Sequence, residues 1–255
     1  LLKSRRESSN LQGLQVAPSA PPVNHLLFAD DSLLFFKANG EGANEVNLVL
    51  DQYCQPSGQR INHAKSSIFF SRGCPQATRE GVKDSLQVHN ETLSERYLGM
   101  PTDVGHSKNG TFKYLRDRVC EKIRGWMEKL LSSAGKEVLI KSIAQAIPVY
   151  AMSCFDLTKS FCEDLSSMIN RYWWSQMDKE NKIHWVSWDK LTKPKKDRGL
   201  GFRNLHFFNL AMLAKQAWRI IQNPSSLCSR VLAARYFPNG SLLQATPSAG
   251  ISYAW

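Results

Sequence analysis

Two short apolar runs meet at an acidic tip near the start of the chain, and few backbone arrangements satisfy that pattern. Leu26-Leu27-Phe28 is followed by Ala29-Asp30-Asp31-Ser32 and then by Leu33-Leu34-Phe35-Phe36. Runs of this kind, bounded by turn residues, predict a β-hairpin packed on both faces. The adjacent carboxylates add a second constraint. At about 4 Å and an effective dielectric near 20, two like charges repel by roughly 4 kcal/mol. A divalent cation removes that cost, and hard oxygen ligands at a strand turn suit Mg²⁺. Alternate side chains of a strand share a face, so Asp30 and Asp31 are expected to point differently, with Asp30 the better direct ligand. Phosphoryl transfer on two metals needs a further carboxylate from another strand. The bland reading is an ordinary hairpin tip, because Asp and Ser are favoured turn residues.

Downstream, Val46, Val49, Leu50 and Tyr53 recur at helical spacing until Gln55-Pro56-Ser57-Gly58 signals a turn. Ser67-Ile68-Phe69-Phe70 reads as a strand, and Arg96-Tyr97-Leu98-Gly99-Met100 as another, ended by Pro101. Strands and helices mixed in this way predict an α+β fold for the first hundred residues. Beyond residue 110 the spacing is helical. Phe112, Leu115, Val119, Ile123 and Trp126 mark one helix; Val138, Leu139, Ile143 and Ile147 mark a second, broken by Pro148. A third starts near Lys159 and carries Leu165, Met168, Ile169, Tyr172 and Trp173. A basic, Trp-rich connector runs from Ile183 to Gly201. Two more helices are expected around Phe207–Ile221 and Leu227–Tyr236.

Charge narrows the partner class. The chain has 33 Lys and Arg against 22 Asp and Glu, a net charge of +11, which favours a polyanion and nucleic acid first among polyanions. Between Thr111 and Ile143 eight basic residues face four acidic ones. Lys113, Arg116, Lys122 and Arg124 are candidates for phosphate contact, against a solvated face with local pairs such as Glu121 with Arg124. Lys193, Lys195, Lys196 and Arg198 make the connector a flexible basic loop that could also hold phosphate. Trp173, Trp174, Trp185 and Trp188 surround it and are expected in the core, although aromatics beside positive charge can stack on unpaired bases. The six cysteines show no Cys-x-x-Cys spacing, so neither a zinc site nor a disulfide framework is supported, and they read as reduced residues of an intracellular protein. No apolar run reaches the roughly 18 residues of a membrane span. The absence of an initiating Met and the abrupt end at Trp255 suggest a chain cut at both ends.

The motifs continue in order. His25-Leu26-Leu27-Phe28-Ala29-Asp30-Asp31-Ser32 resembles the aromatic-x-Asp-Asp hairpin of reverse transcriptases, in the plant branch of the non-LTR (LINE-type) retrotransposons. Ser57-Gly58-Gln59-Arg60-Ile61-Asn62-His63-Ala64-Lys65-Ser66 resembles the family's next motif, and Tyr97-Leu98-Gly99-Met100-Pro101 its primer grip. Gly125-Trp126 and Leu139-Ile140-Lys141 look like its thumb. Arg198-Gly199-Leu200-Gly201-Phe202-Arg203 and Lys215-Gln216-Ala217-Trp218-Arg219 are similar to its post-thumb region.

The resemblance implies a partial polymerase palm over residues 1–105, a thumb-like helical region over 106–175 and a basic Trp-rich post-thumb region over 176–255. It implies an RNA-directed DNA polymerase with an RNA template, a DNA primer, deoxynucleotides and Mg²⁺, acting in the nucleus. Asp30 and Asp31 would be catalytic metal ligands. Lys65 would stand near the incoming nucleotide as a cationic proton donor, or be a plain loop lysine. Tyr97, Leu98 and Gly99 would form the primer grip, with Gly99 allowing a tight turn. The opening Ser9-Asn10-Leu11-Gln12-Gly13 resembles the family segment just before the hairpin. The first catalytic aspartate and the fingers then fall before residue 1, so the chain alone is expected to be inactive. The alternatives are a non-catalytic nucleic-acid-binding relic and an interaction domain with an incidental hairpin.

Overall fold

The computed structural model describes residues 11, 13–92, 96–102, 104, 108–127, 131–175, 183–238 and 240–245. Expectations that fall on Ser9, Asn10, Gln12, Lys129 or the stretch from Ile251 to Trp255 lie outside the described residues. The fold is α+β and divides into two compact units, Leu1–Thr102 with Asn223–Thr246 and Asp103–Gln222 with Pro247–Trp255.

In the first unit, β1 (His25–Phe28) and β2 (Asp31–Leu34) pair antiparallel, with His25 opposite Leu34 and Phe28 opposite Asp31. Helix α1 (Gly40–Ser57) begins where the Asn39 side chain accepts from the Gly42 N–H and ends at Gly58 with φ 69°, the conformation in which glycine has no β-carbon to clash. It packs on α2 (Gln76–Leu86), a helix the apolar spacing did not announce. Ala43 and Val46 of α1 meet Val82 and Leu86 of α2, with Leu11, Phe70 and Val88 completing the core. Helix α10 (Leu227–Tyr236) also belongs to this unit.

Three expectations fail here. The hairpin is not packed on both faces: Leu34 and Phe36 reach the core, but Leu27 is 58% and Phe28 62% exposed. Two strands alone present no second layer for them. Ser67–Phe70 is no strand, because among the described residues its only ladder-like bond is from the Ile68 N–H to the Asn90 carbonyl, at 2.9 Å. Arg96–Met100 is not one strand but a hairpin, β3 (Arg96–Tyr97) and β4 (Met100–Pro101), which reverses at Leu98 (φ 51°) and Gly99 (φ 76°). Two consecutive positive φ values define the tightest hairpin turn, and the glycine supplies half of it.

The second unit is helical: α3 (Lys108–Thr111), α4 (Lys113–Met127), α5 (Ser133–Leu139), α6 (Val149–Met152), α7 (Lys159–Trp174), α8 (Trp188–Thr192) and α9 (Leu205–Gln222). Helices α4 and α7 bury the stripes their periodicity predicted, Leu115, Val119, Ile123 and Trp126 against Leu165, Ile169 and Tyr172, with Trp126 and Tyr172 rings 5.6 Å apart. The second helix departs from a simple α-helix. Residues Ile140–Ala144 widen to a π-turn, with the Gln145 N–H donating to the Ile140 carbonyl at 2.9 Å. Ile140 and Ala144 of this turn are buried, whereas Val138, in the helix before it, is exposed.

Long-range polar clamps close this unit. The Gln145 side chain accepts from the Arg203 N–H at 3.2 Å and donates to the Arg203 carbonyl at 3.3 Å, while the Arg203 guanidinium lies 4.6 Å over the Phe208 ring. Buried Asn209 accepts from the Leu157 N–H and donates to the Met152 and Phe155 carbonyls, at 2.8–2.9 Å. The Lys136 ammonium donates to the carbonyls of Tyr172 and Ser175, a cation placed at the negative end of α7.

Candidate nucleic-acid and metal sites

The acidic tip is set by backbone geometry. Ala29 and Asp30 form a two-residue connection between β1 and β2, with Ala29 at φ 50°. A residue with a β-carbon pays about 1–2 kcal/mol there, so the tip holds local strain. Asp30 and Asp31 are both exposed. Asp30 lies in the turn and Asp31 on β2 opposite Phe28, so the two do not alternate along one strand.

Two carboxylates at one tip supply part of a metal site. Among the described residues no group of three or more His, Cys, Asp or Glu side chains is placed to hold an ion. The tip therefore does not by itself fit a two-metal centre. Lys65 lies in a separate turn, where its N–H donates to the Asn62 carbonyl and side chain, each at 3.1 Å, and its ammonium makes no ion pair among the described residues. Tyr97, Leu98 and Gly99 occupy the second hairpin, with Leu98 and Gly99 as its turn.

On α4, Lys113, Arg116, Lys122 and Arg124 are all exposed and unpaired among the described residues, and the pair of Glu121 with Arg124 is not formed. At 100° per residue, Lys113, Arg116 and Arg124 fall along one flank, about 60–140° from Val119, and Lys122 on the other. Three of the four cations thus present one continuous edge.

The connector corrects the expectation of a flexible loop. Helix α8 leads into a 3₁₀ turn at Lys195–Asp197, and Arg198 follows at φ 60°. The Leu200 N–H returns to the Leu191 carbonyl at 3.0 Å and the Gly201 N–H to the Lys193 carbonyl at 2.8 Å. Glu137 accepts from Lys141 at 2.7 Å and from Lys195 at 2.9 Å, and Lys141 also donates to the Leu200 carbonyl at 2.6 Å. Lys195 therefore shares Glu137 with Lys141, whereas Lys193, Lys196 and Arg198, exposed like it, are unpaired among the described residues. Phe202 is the buried hub of the aromatics: Trp188 stacks on it and Trp173 meets it edge-on, each at 5.4 Å, while Trp174 stacks on His184. Trp185 breaks the core expectation at 79% exposed.

Glu137 gives an acid-stability prediction. The Lys141 and Lys195 ammonium groups hold its carboxyl below the ordinary 4.5. A depressed folded-state pKa contributes stability that is complete above the unfolded value and is lost as pH falls through the folded value. Glu137→Gln is expected to lower the urea midpoint at pH 7 and to shrink the difference from the unmodified chain below about pH 4. An equal difference at pH 7 and pH 3 would sink the assignment.

A cleft of about 410 Å³ beside Trp188 is lined by Lys159, Glu163, Asn170, Asp189 and His206, and its two carboxylates make it a poor phosphate site. Cysteine chemistry is also unpromising: the six thiols are free, and burial, with Asp156 and Glu163, pushes Cys162 up to about 11. Among the described residues no helix is long and apolar enough to cross a membrane.

The architecture is an α+β chain whose exposed acidic hairpin lies in one unit and whose exposed cations are densest on a helical unit. It is 51% identical to the uncharacterized mitochondrial protein AtMg00310 of Arabidopsis thaliana over 111 residues, 43% of this chain and 72% of that protein. The chain belongs to that protein's family. It is also 34% identical over 137 residues, 54% of its own length, to At1g65750 of the same plant, a protein provisionally named for ribonuclease H, of which the match spans 22%. No protein-family model matches the chain. Sequence reasoning missed the Gln145 and Asn209 clamps, whose partners lie more than fifty residues away in the chain. It also passed over one readable signal, the absence of any Asp or Glu after Asp197.

Proposed function

We propose that the chain is a piece of a retrotransposon-derived protein, specifically of an RNA-directed DNA polymerase of the plant non-LTR type. The observation that carries the reading is the exposed Asp30-Asp31 tip on a strained two-residue turn, followed in order by the Lys65 turn, the Tyr97-Leu98-Gly99 hairpin and the basic α4. In this reading residues 1–105 are part of the palm, residues 106–175, with α4 and α7, are the thumb, and residues 176–255 are the post-thumb region. Asp30 and Asp31 contribute to a Mg²⁺ site completed by carboxylates from the rest of a longer protein. Bound Mg²⁺ would neutralise charge on the reacting phosphates. Lys65 stands near the nucleotide and Tyr97, Leu98 and Gly99 at the primer end. Lys113, Arg116, Lys122, Arg124, Lys193, Lys196 and Arg198 hold the RNA template and DNA primer through phosphates, with Lys195 ordering the loop.

The relative that the chain covers in small part is named for ribonuclease H, an activity on nucleic acid, and that name agrees with this partner class. The reading puts the point of action in the nucleus, and the mitochondrial name of the other relative makes the organelle its competitor. Fluorescent fusions distinguish the two.

The test is Mg²⁺-dependent primer extension. The 255-residue chain is expected to give none, and a longer protein that encodes a further aspartate-bearing strand is expected to extend and to lose extension on Asp30→Ala. Extension by the longer protein that survives Asp30→Ala overturns the catalytic assignment. Extension by the 255-residue chain that is lost in Asp30→Ala overturns only its incompleteness.

A second reading, a non-catalytic nucleic-acid-binding relic, is favoured by the contrast between a cationic surface complete within the chain and an acidic tip that is not. Binding is common to both readings. Replacing Lys113, Arg116, Lys122 and Arg124 by Gln removes about four phosphate contacts. Affinity should then fall less steeply with salt, because each contact contributes about 0.7–0.9 to the logarithmic slope.

A further inference from the structure

Helix α9 is built the wrong way round for a surface helix. Over its 18 residues it buries only Leu205 and Asn209. Phe207 is 66% and Trp218 63% exposed, with Leu210 and Ile221 exposed beside them. Eleven residues are just over three whole turns, so Phe207 and Trp218 stand within about 20° of one another and roughly 16 Å apart along the axis. Ala211 and Ala214 lie between them and leave both rings open. At 100° per residue Lys215 and Arg219 line one edge of this face, about 80° and 120° round from Phe207, and both are exposed.

Charge decides what such a face accepts. Helix α9 itself carries Lys215 and Arg219 and no Asp or Glu, while the cleft that holds Glu163 and Asp189 lies at its Phe207 end. A second copy of the same helix would set cation against cation. A single-stranded nucleic acid offers what the face lacks, since its bases stack on aromatic rings and its phosphates meet cations, without any need for a particular sequence.

We propose that the exposed face of α9 is a stacking platform for single-stranded RNA or DNA, with Phe207 and Trp218 each taking a base and Lys215 an adjoining phosphate. This rests on the nucleic-acid reading above but names a surface apart from α4 and the connector. A duplex keeps its bases stacked internally and would use the cations alone.

Fluorescence anisotropy with labelled 20-nucleotide oligo(U) and oligo(dT), and with a 20-base-pair duplex, tests it on the full chain. Phe207→Ala and Trp218→Ala should each weaken single-strand binding by about tenfold, leave duplex binding within about twofold, and leave the circular dichroism spectrum unchanged because both side chains are exposed. Trp218→Phe, which keeps a ring, should recover most of the loss. Single-strand affinity unchanged in the double alanine variant overturns the platform and leaves α4 and the connector as the binding surface. Loss of self-association in that variant with oligonucleotide affinity intact also overturns it, in favour of a protein contact. If the unmodified chain binds neither single strands nor duplex, the broader nucleic-acid reading fails with it.

Discussion

Gly199→Ala is expected to destabilise the helical unit by about 3–5 kcal/mol, an effect at the upper end for one methyl group. A β-carbon at that position would lie 1.9 Å from the Lys193 carbonyl oxygen and 2.8 Å from that of Lys190. Both obstacles are backbone, so no side chain can swing aside. The loop would have to open, with loss of the bonds from Gly199 to Pro194, Leu200 to Leu191 and Gly201 to Lys193, and Phe202 would leave its place against Trp173 and Trp188. Gly201→Ala is the matched control. Its φ of 71° disfavours a β-carbon, but the nearest atom to that carbon is the Lys141 Nζ at 3.8 Å, so only the conformational cost of about 1–2 kcal/mol applies. Urea titration followed by tryptophan fluorescence reads both. Equal midpoint shifts for the two variants would show that close packing at Gly199 is not what matters.

Asn209→Ala should cost a similar amount, about 3–4 kcal/mol, for a different reason. The residue is 0% exposed and serves three backbone groups at once. Its removal leaves the Leu157 N–H and the Met152 and Phe155 carbonyls without this partner, and each buried unpaired group costs about 1–3 kcal/mol before relaxation. Asn209→Asp should be worse at pH 7, because a carboxylate still accepts from Leu157 but has no proton to give the two carbonyls. If Asn209→Asp were as stable as the unmodified chain, the hydrogen-bond account of this position would be wrong.

Much of the architecture was legible because its signals are local. The stripes of α4 and α7 are read directly from three- and four-residue spacing, and burial follows them. The acidic tip is legible for the same reason, as two apolar runs about one turn. The failures share a cause as well. Ser67–Phe70 has strand composition, yet a strand exists only when a neighbour offers a ladder. Tyr97-Leu98-Gly99 reads as extended until two successive positive φ values turn it, and only the glycine hints at that. Val138 fits a helical stripe, yet the burial falls on Ile140 and Ala144, because which face meets the core is set by distant segments and not by the spacing. Trp185 and Trp188 are three residues apart in a tryptophan-rich segment, but only Trp188 finds Phe202.

By itself the sequence determined where the carboxylates of the tip stand, which helices have an apolar face, and that the chain is strongly cationic with no acid after Asp197. These properties belong to neighbours along the backbone. Tertiary structure decided which apolar residues are buried, which cations remain unpaired and whether the connector is ordered. Lys195 and Lys196 are indistinguishable in sequence and both exposed, yet one is held by Glu137 and the other is unpaired among the described residues. Such outcomes depend on contacts between residues some sixty positions apart, and composition and period carry no information about which distant segments the folded chain brings together.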